Sequence, residues 1–116
     1  MQRYLGQRKE VKIYISNDDT YEGEPLFEVL LKLVKDEGLS GATVTKAVAG
    51  IGAHSQIHTF SAWVLKQKVP LIVSIIDTEE KIRGFLQKAS AMIEEGLVTL
   101  HDVEVVLYHH PKFKEA

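Results

Sequence analysis

The run VPLIVSII, Val69 to Ile76, constrains the fold more than any other stretch of the chain. It is almost wholly apolar, with Leu71, Val73 and Ile75 alternating against Ile72 and Ile76. A short apolar run of this kind reads as a strand buried on both faces. Pro70, near its beginning, suits a strand start or an edge position, where its missing N–H breaks no ladder. A strand with two apolar faces needs a layer on each side, and the rest of the chain must supply them.

VKIYIS, Val11 to Ser16, alternates Val11, Ile13 and Ile15 against Lys12, Tyr14 and Ser16, a strand with one clearly apolar face. The polar NDDTYEGE forms a turn, and Pro25 stands where a first helical residue is expected. Leu26, Phe27, Leu30, Leu31, Leu33 and Val34 then recur at helical spacing, and Gly38 marks the stop. ATVTKAVAG, Ala42 to Gly50, is β-branched and short, so it reads as a second strand. After Ile76, Asp77 and Glu80 form a capping pair for a second helix with Ile82, Phe85, Leu86, Ala89 and Ile93 on its core face and Gly96 as its end. VEVVLY, Val103 to Tyr108, closes the pattern as a fourth strand, with Val106 and Tyr108 set opposite to Val105 and Leu107.

The order is β-α-β-β-α-β, which predicts an α+β, ferredoxin-like fold with a four-stranded antiparallel sheet. Residues 1–10 read as a polar N-terminal segment, 11–110 as the folded domain and 111–116 as a loose C-terminal tail. Two helices cover one face of such a sheet. The other face keeps Ile72, Ile76 and Val106, a patch that calls for a partner and predicts a homo-oligomer.

Composition narrows the function classes. The chain has 116 residues, no cysteine and a formal net charge of −2, so disulfides, thiolate metal sites and a cysteine nucleophile are excluded, and a general electrostatic grip on nucleic acid is not expected. The opening MQRYLGQRKE carries no apolar signal core, and no apolar run approaches the ~18 residues of a membrane span. A cytoplasmic location is the expectation.

GLSGATVTKAVAGIG, Gly38 to Gly52, resembles the segment of PII signal-transduction proteins that runs from the first helix through the second strand into a long regulatory loop. IYISNDDTYEGEPLFEVLLKLVKDEGLSGATV, IIDTEEKI and EEGLVTLHDVEVVLY extend the likeness across residues 11–108 and resemble the PII-like family known as domain of unknown function 190, or UPF0166. The resemblance implies a homotrimer with ligand clefts between subunits and a mobile loop that meets a partner, such as a membrane transport protein. In PII proteins these clefts bind adenine nucleotides. Matched residue by residue, Thr43, Thr45, Gly50, Ile51, Gly52 and His54 are the candidate ligand-binding residues. Ala53, His54, Ser55, Gln56, Ile57, His58, Thr59 and Phe60 form the candidate partner loop. Where PII proteins carry Arg and Gln after the Gly-x-Gly, this chain has Ala53 and His54. Where they carry a glycine- and lysine-rich phosphate loop, it has GLVTLHD, Gly96 to Asp102. Beyond the fourth strand only Lys112 and Lys114 stand in the region of the PII arginines. A triphosphate grip of the PII kind is therefore largely missing, and Lys46 is the nearest cation in sequence to the loop root.

No catalytic set emerges. The chain has neither G-x-x-x-x-G-K-[ST] nor G-x-G-x-x-G, so Gly50-Ile51-Gly52 is not a standard phosphate fingerprint. Ser55, Ser61 and Ser74 lack a nucleophile elbow, and Asp18-Asp19 and Glu94-Glu95 are adjacent pairs rather than carboxylates aimed at one bond. Trp63 reads as a packing residue. No metal or other cofactor is assigned. The expected function is that of a small-ligand regulator and not an enzyme. The alternative is a metal-binding trimer or enzyme of the same fold, using interface histidines among His54, His58, His101, His109 and His110 with Asp102.

Overall fold

The computed structural model describes residues 2, 3, 5–51, 57–59 and 68–109. Its centre is a four-stranded antiparallel sheet built from β2 (Gly6–Ser16), β5 (Thr43–Lys46), β8 (Pro70–Asp77) and β9 (Leu97–Val105), in the order β5-β8-β2-β9. Helices α1 (Leu26–Asp36) and α2 (Glu79–Ala89) supply the buried residues Leu26, Leu30 and Val34, and Ile82, Phe85 and Ala89. These join Val11, Ile13 and Ile15 of β2 and Leu71, Val73 and Ile75 of β8 in one core. This is the predicted ferredoxin-like α+β arrangement. The apolar run of β8 lies between β5 and β2, and only its odd-numbered residues meet the helices.

Shorter pieces decorate this frame. β3 (Thr20–Tyr21) and β4 (Glu24–Pro25) close a tight turn before α1, with Glu22 and Gly23 at positive φ of 50° and 84°. Pro25 sits one residue earlier than its expected place, as the N-cap of α1. Gly38 ends the helix at φ 72°, and Leu39 N–H reaches back to the Val34 carbonyl at 3.1 Å, the bond that a left-handed C-terminal glycine allows. β6 (Ala49–Ile51) pairs with β7 (Ile57–Thr59), and β1 (Gln2–Arg3) pairs with β10 (Tyr108–His109).

Several boundaries differ from the sequence reading, each for a physical reason. β2 begins at Gly6 rather than Val11, because its polar first half pairs with β9 from Gly6↔Val105 onward. The second strand is divided: Thr43–Lys46 belongs to the main sheet, whereas Ala49–Ile51 leaves it to pair with Ile57–Thr59. The second helix stops at Ala89, where the Ser90 hydroxyl bonds the Leu86 carbonyl, so Ile93 packs on the core from outside the helix. Its N-cap is Thr78, whose hydroxyl accepts from Lys81 N–H at 3.4 Å; the expected cap, Asp77, turns inward instead.

The fourth strand is Leu97–Val105, six residues earlier than its expected start. Backbone pairing with β2 draws Thr99, His101 and Asp102 into the ladder despite their polarity. The register also corrects the assignment of faces. Val105 stands on the open side of the sheet, across from Gly6, and Val106 lies past the end of β9.

Gly96 explains why β9 can start where it does. A Cβ there would lie 2.8 Å from the Tyr14 carbonyl oxygen and 3.2 Å from Ile93 Cγ2, closer than a side chain tolerates against backbone. Gly96→Ala is therefore expected to cost about 1–3 kcal/mol as an overpacking defect. Urea denaturation checks it, and an unchanged midpoint would show that the β2–β9 connection yields freely.

Candidate functional site

The sheet has a helix-covered face and an open one, and the register assigns each polar residue to a side. In antiparallel pairing, partners across the ladder share a face. Thr45, Ile72, Tyr14 and Leu97 form one row on the open face, and Thr43, Ser74, Lys12 and Thr99 form the next. The third row brings Ile76, Glu10 and His101 together. Thr43 and Thr45 thus share a face, while Lys46, paired with Leu71, belongs to the opposite one. The nearest cation in sequence is turned away, and Lys12, beside Ser74, lies on the open face instead.

At the β5–β8 end of this face lies an open cavity of about 310 Å³, lined by Ser40, Gly41, Ala42, Thr43, Ser74, Ile76 and Tyr108. Among the described residues, Thr43 is the sequence-selected ligand residue that lines it. Thr45 stands one row away, and Gly50 and Ile51 belong to the separate β6–β7 ribbon. Gly52 and His54 lie outside the described residues, as do Ala53, Ser55, Gln56 and Phe60 of the candidate partner loop. Ile57, His58 and Thr59 form β7.

Beneath the cavity, Asp77 is only 6% exposed. Its Oδ2 accepts from Ser40 N–H and from Ser40 Oγ, both at 2.8 Å, and its Oδ1 accepts from Thr78 N–H at 2.7 Å. Burial pushes the Asp77 carboxyl up. The Thr78 and Ser40 hydrogen bonds and the nearby Lys81 charge outweigh it and hold the group below its ordinary range. A carboxylate that stays ionised fixes the Ser40 segment against the end of β8. On the other side of the cavity, Ser74 Oγ donates to Glu10 Oε2 at 2.8 Å.

The sequence reading left Ser40, Ser74, Ile76, Tyr108 and the anchoring role of Asp77 unassigned to the site. Ser74 carried a usable signal, as the one polar residue in the run Val69 to Ile76, but its alignment with Thr43 needs the register. Tyr108 arrives from the β10 end, where local pattern gives no warning.

The histidine alternative meets a geometric obstacle. His101 faces the open side, where its Nε2 lies 2.8 Å from Thr99 Oγ1, while Asp102 points to the helix side and pairs with Lys9. Strand alternation keeps these two adjacent residues from converging on one ion. Among the described residues, no three His, Asp or Glu side chains gather in a metal-binding group. Nor, among them, is any helix long and apolar enough to cross a membrane.

Comparison with known proteins agrees with this architecture. Residues 8–105 match the DUF190 family, described as an uncharacterized ACR. A UPF0166 protein of Aquifex aeolicus is 41% identical over 100 residues, covering 86% of this chain and 94% of the relative. A UPF0166 protein of Methanocaldococcus jannaschii is 36% identical over 98 residues, covering 84% and 90%. Among solved structures, CPII, a nitrogen regulatory PII-like protein from Thiomonas intermedia K12 bound to ADP, AMP and bicarbonate, superposes with a TM-score of 0.67 at 19% identity, covering 86% of this chain and 89% of its own. The fold is that of PII-like proteins, and the chain belongs to the DUF190 (UPF0166) family.

Proposed function

We propose that this chain is a PII-like regulator, not an enzyme, that binds an adenine nucleotide at the β5–β8 end of its open face. In this reading it works as a homotrimer, with the site at a subunit boundary, and residues 53–60 carry the ligand state to a partner such as a membrane transport protein. The observation that carries the reading is the cavity itself. It includes Thr43, its lining among the described residues has no charged side chain, and it lies in a fold shared with a protein bound to ADP and AMP. At about 310 Å³ it is at the small end of ligand sites, suited to one ring system rather than a whole triphosphate.

The phosphates then meet little positive charge. Among the described residues, no lysine or arginine lines the cavity and Lys12 is the single cation of the row that holds Thr43 and Ser74, while Gly96 to Asp102 has none in sequence. Each charge-assisted hydrogen bond that is missing forgoes roughly 1.5–3 kcal/mol. Titration calorimetry with ATP, ADP, AMP and cyclic AMP is expected to show binding in which ATP gains nothing over ADP. Absence of binding by all four nucleotides would overturn the reading, and ATP at least tenfold tighter than ADP would show a phosphate grip elsewhere.

A further inference from the structure

The two serines of the cavity are not ordinary hydroxyls. A serine hydroxyl has one proton and two acceptor lone pairs, and it normally turns to suit its ligand. Here each proton is already committed. Ser40 Oγ donates to Asp77 Oδ2 and Ser74 Oγ donates to Glu10 Oε2, each at 2.8 Å. Ionised carboxylates accept only, so the direction of both bonds is fixed. The Ser40 N–H is spent on the same Asp77 oxygen. What the two serines turn toward a ligand is therefore lone pairs alone. Thr43, directly across the ladder from Ser74, adds a hydroxyl that can donate to a ring nitrogen.

Resting on the reading that the cavity takes a purine nucleotide, we infer that Ser40 and Ser74 are its specificity-determining residues, made acceptor-only by Asp77 and Glu10, and that they select a purine with an exocyclic amine over one with a carbonyl in that position. An amine offers two N–H donors to two waiting acceptors. A carbonyl at the same place meets lone pair with lone pair and gains neither hydrogen bond. A site built around such hydrogen bonds rejects the mismatched analogue far more strongly than an apolar pocket does. Glu10 acts through Ser74 and is a positioning residue.

The test compares ADP with IDP, which differ in the base at this amine-for-carbonyl exchange, by calorimetry on the intact protein. Wild type is expected to bind ADP at least tenfold more tightly than IDP. Glu10→Gln replaces an acceptor-only carboxylate with an amide that both donates and accepts, so the Ser74 proton is free to turn toward the ligand. ADP binding is then expected to weaken and IDP binding to strengthen, so that the ADP-to-IDP ratio falls severalfold. Ser74→Ala should weaken ADP more than IDP. A purely structural role for Glu10 or Ser74 would shift both nucleotides alike and leave the ratio unchanged, which would overturn the inference. Equal affinity of wild type for ADP and IDP would also overturn it while leaving the nucleotide reading intact. Absence of binding by either nucleotide would remove both.

Discussion

Asp77→Ala is expected to cost about 2–4 kcal/mol of stability and to lower Tm by roughly 10 °C. The buried carboxylate holds three donors: Ser40 N–H, Ser40 Oγ and Thr78 N–H. Hydrogen bonds to a charged acceptor contribute roughly 1.5–3 kcal/mol each when buried, less where water can replace the partner. Ser40 is exposed, so part of its loss is recovered, and Thr78 keeps its own role at the start of α2. The same bonds fix Ser40 at the wall of the proposed site. Ser40→Ala is the control: it removes one hydroxyl but leaves the Ser40 N–H bond, so its expected stability loss is about 1 kcal/mol.

The same group gives the protein an acid limb. The folded Asp77 carboxyl is held below its ordinary range, so it contributes stability at every pH above its unfolded value. That contribution is lost as pH falls through the lower, folded value. Stability of wild type is therefore expected to drop more steeply with acid than that of Asp77→Ala, and denaturant midpoints measured from neutral pH down to the carboxylate range check it. Parallel curves would show that Asp77 is not the group responsible.

Asp77 also shows where sequence reasoning was sufficient and where it was not. Periodicity located both helices and the central strands β2 and β8, because burial enforces a repeat of two or of 3.6 on every residue of an element. It also identified Gly38 as a helix stop, since positive φ selects glycine there. Local pattern could not tell whether Asp77 capped the next helix or turned inward, because a carboxylate serves both ends and the choice depends on Ser40, 37 residues away. Likewise β9 defied its own polarity: Thr99, His101 and Asp102 are in a strand because β2 offers them backbone partners. The candidate site was legible at Thr43, which the family resemblance marked. Ser74 and Tyr108 join Thr43 only through pairings and loops that no short stretch of sequence encodes.

Replacing Ile72 with Asp is expected to break the proposed homotrimer without unfolding the subunit, a result that depends on the two faces of β8 being different environments. Leu71, Val73 and Ile75 point into the helix-covered core and are at most 4% exposed, so a carboxylate at any of them would destroy the fold. Ile72 points the other way, into the row of Thr45, Tyr14 and Leu97, and Leu97 is 58% exposed and Ile76 41% exposed in the single chain. Covering roughly 300 Å² of such surface per subunit contributes about 7 kcal/mol before the cost of association. A carboxylate buried in that row without a partner costs several kcal/mol and cancels most of it. Light scattering is expected to give about three times 13.0 kDa for wild type and 13.0 kDa for Ile72→Asp, with the far-ultraviolet circular dichroism unchanged. Val73→Asp, one residue along and facing the helices, is expected to lose that spectrum altogether. A wild-type monomer at micromolar concentration would end the trimer proposal. A trimeric Ile72→Asp would mean that the subunits meet through another surface, leaving the apolar row of the open face unexplained by assembly.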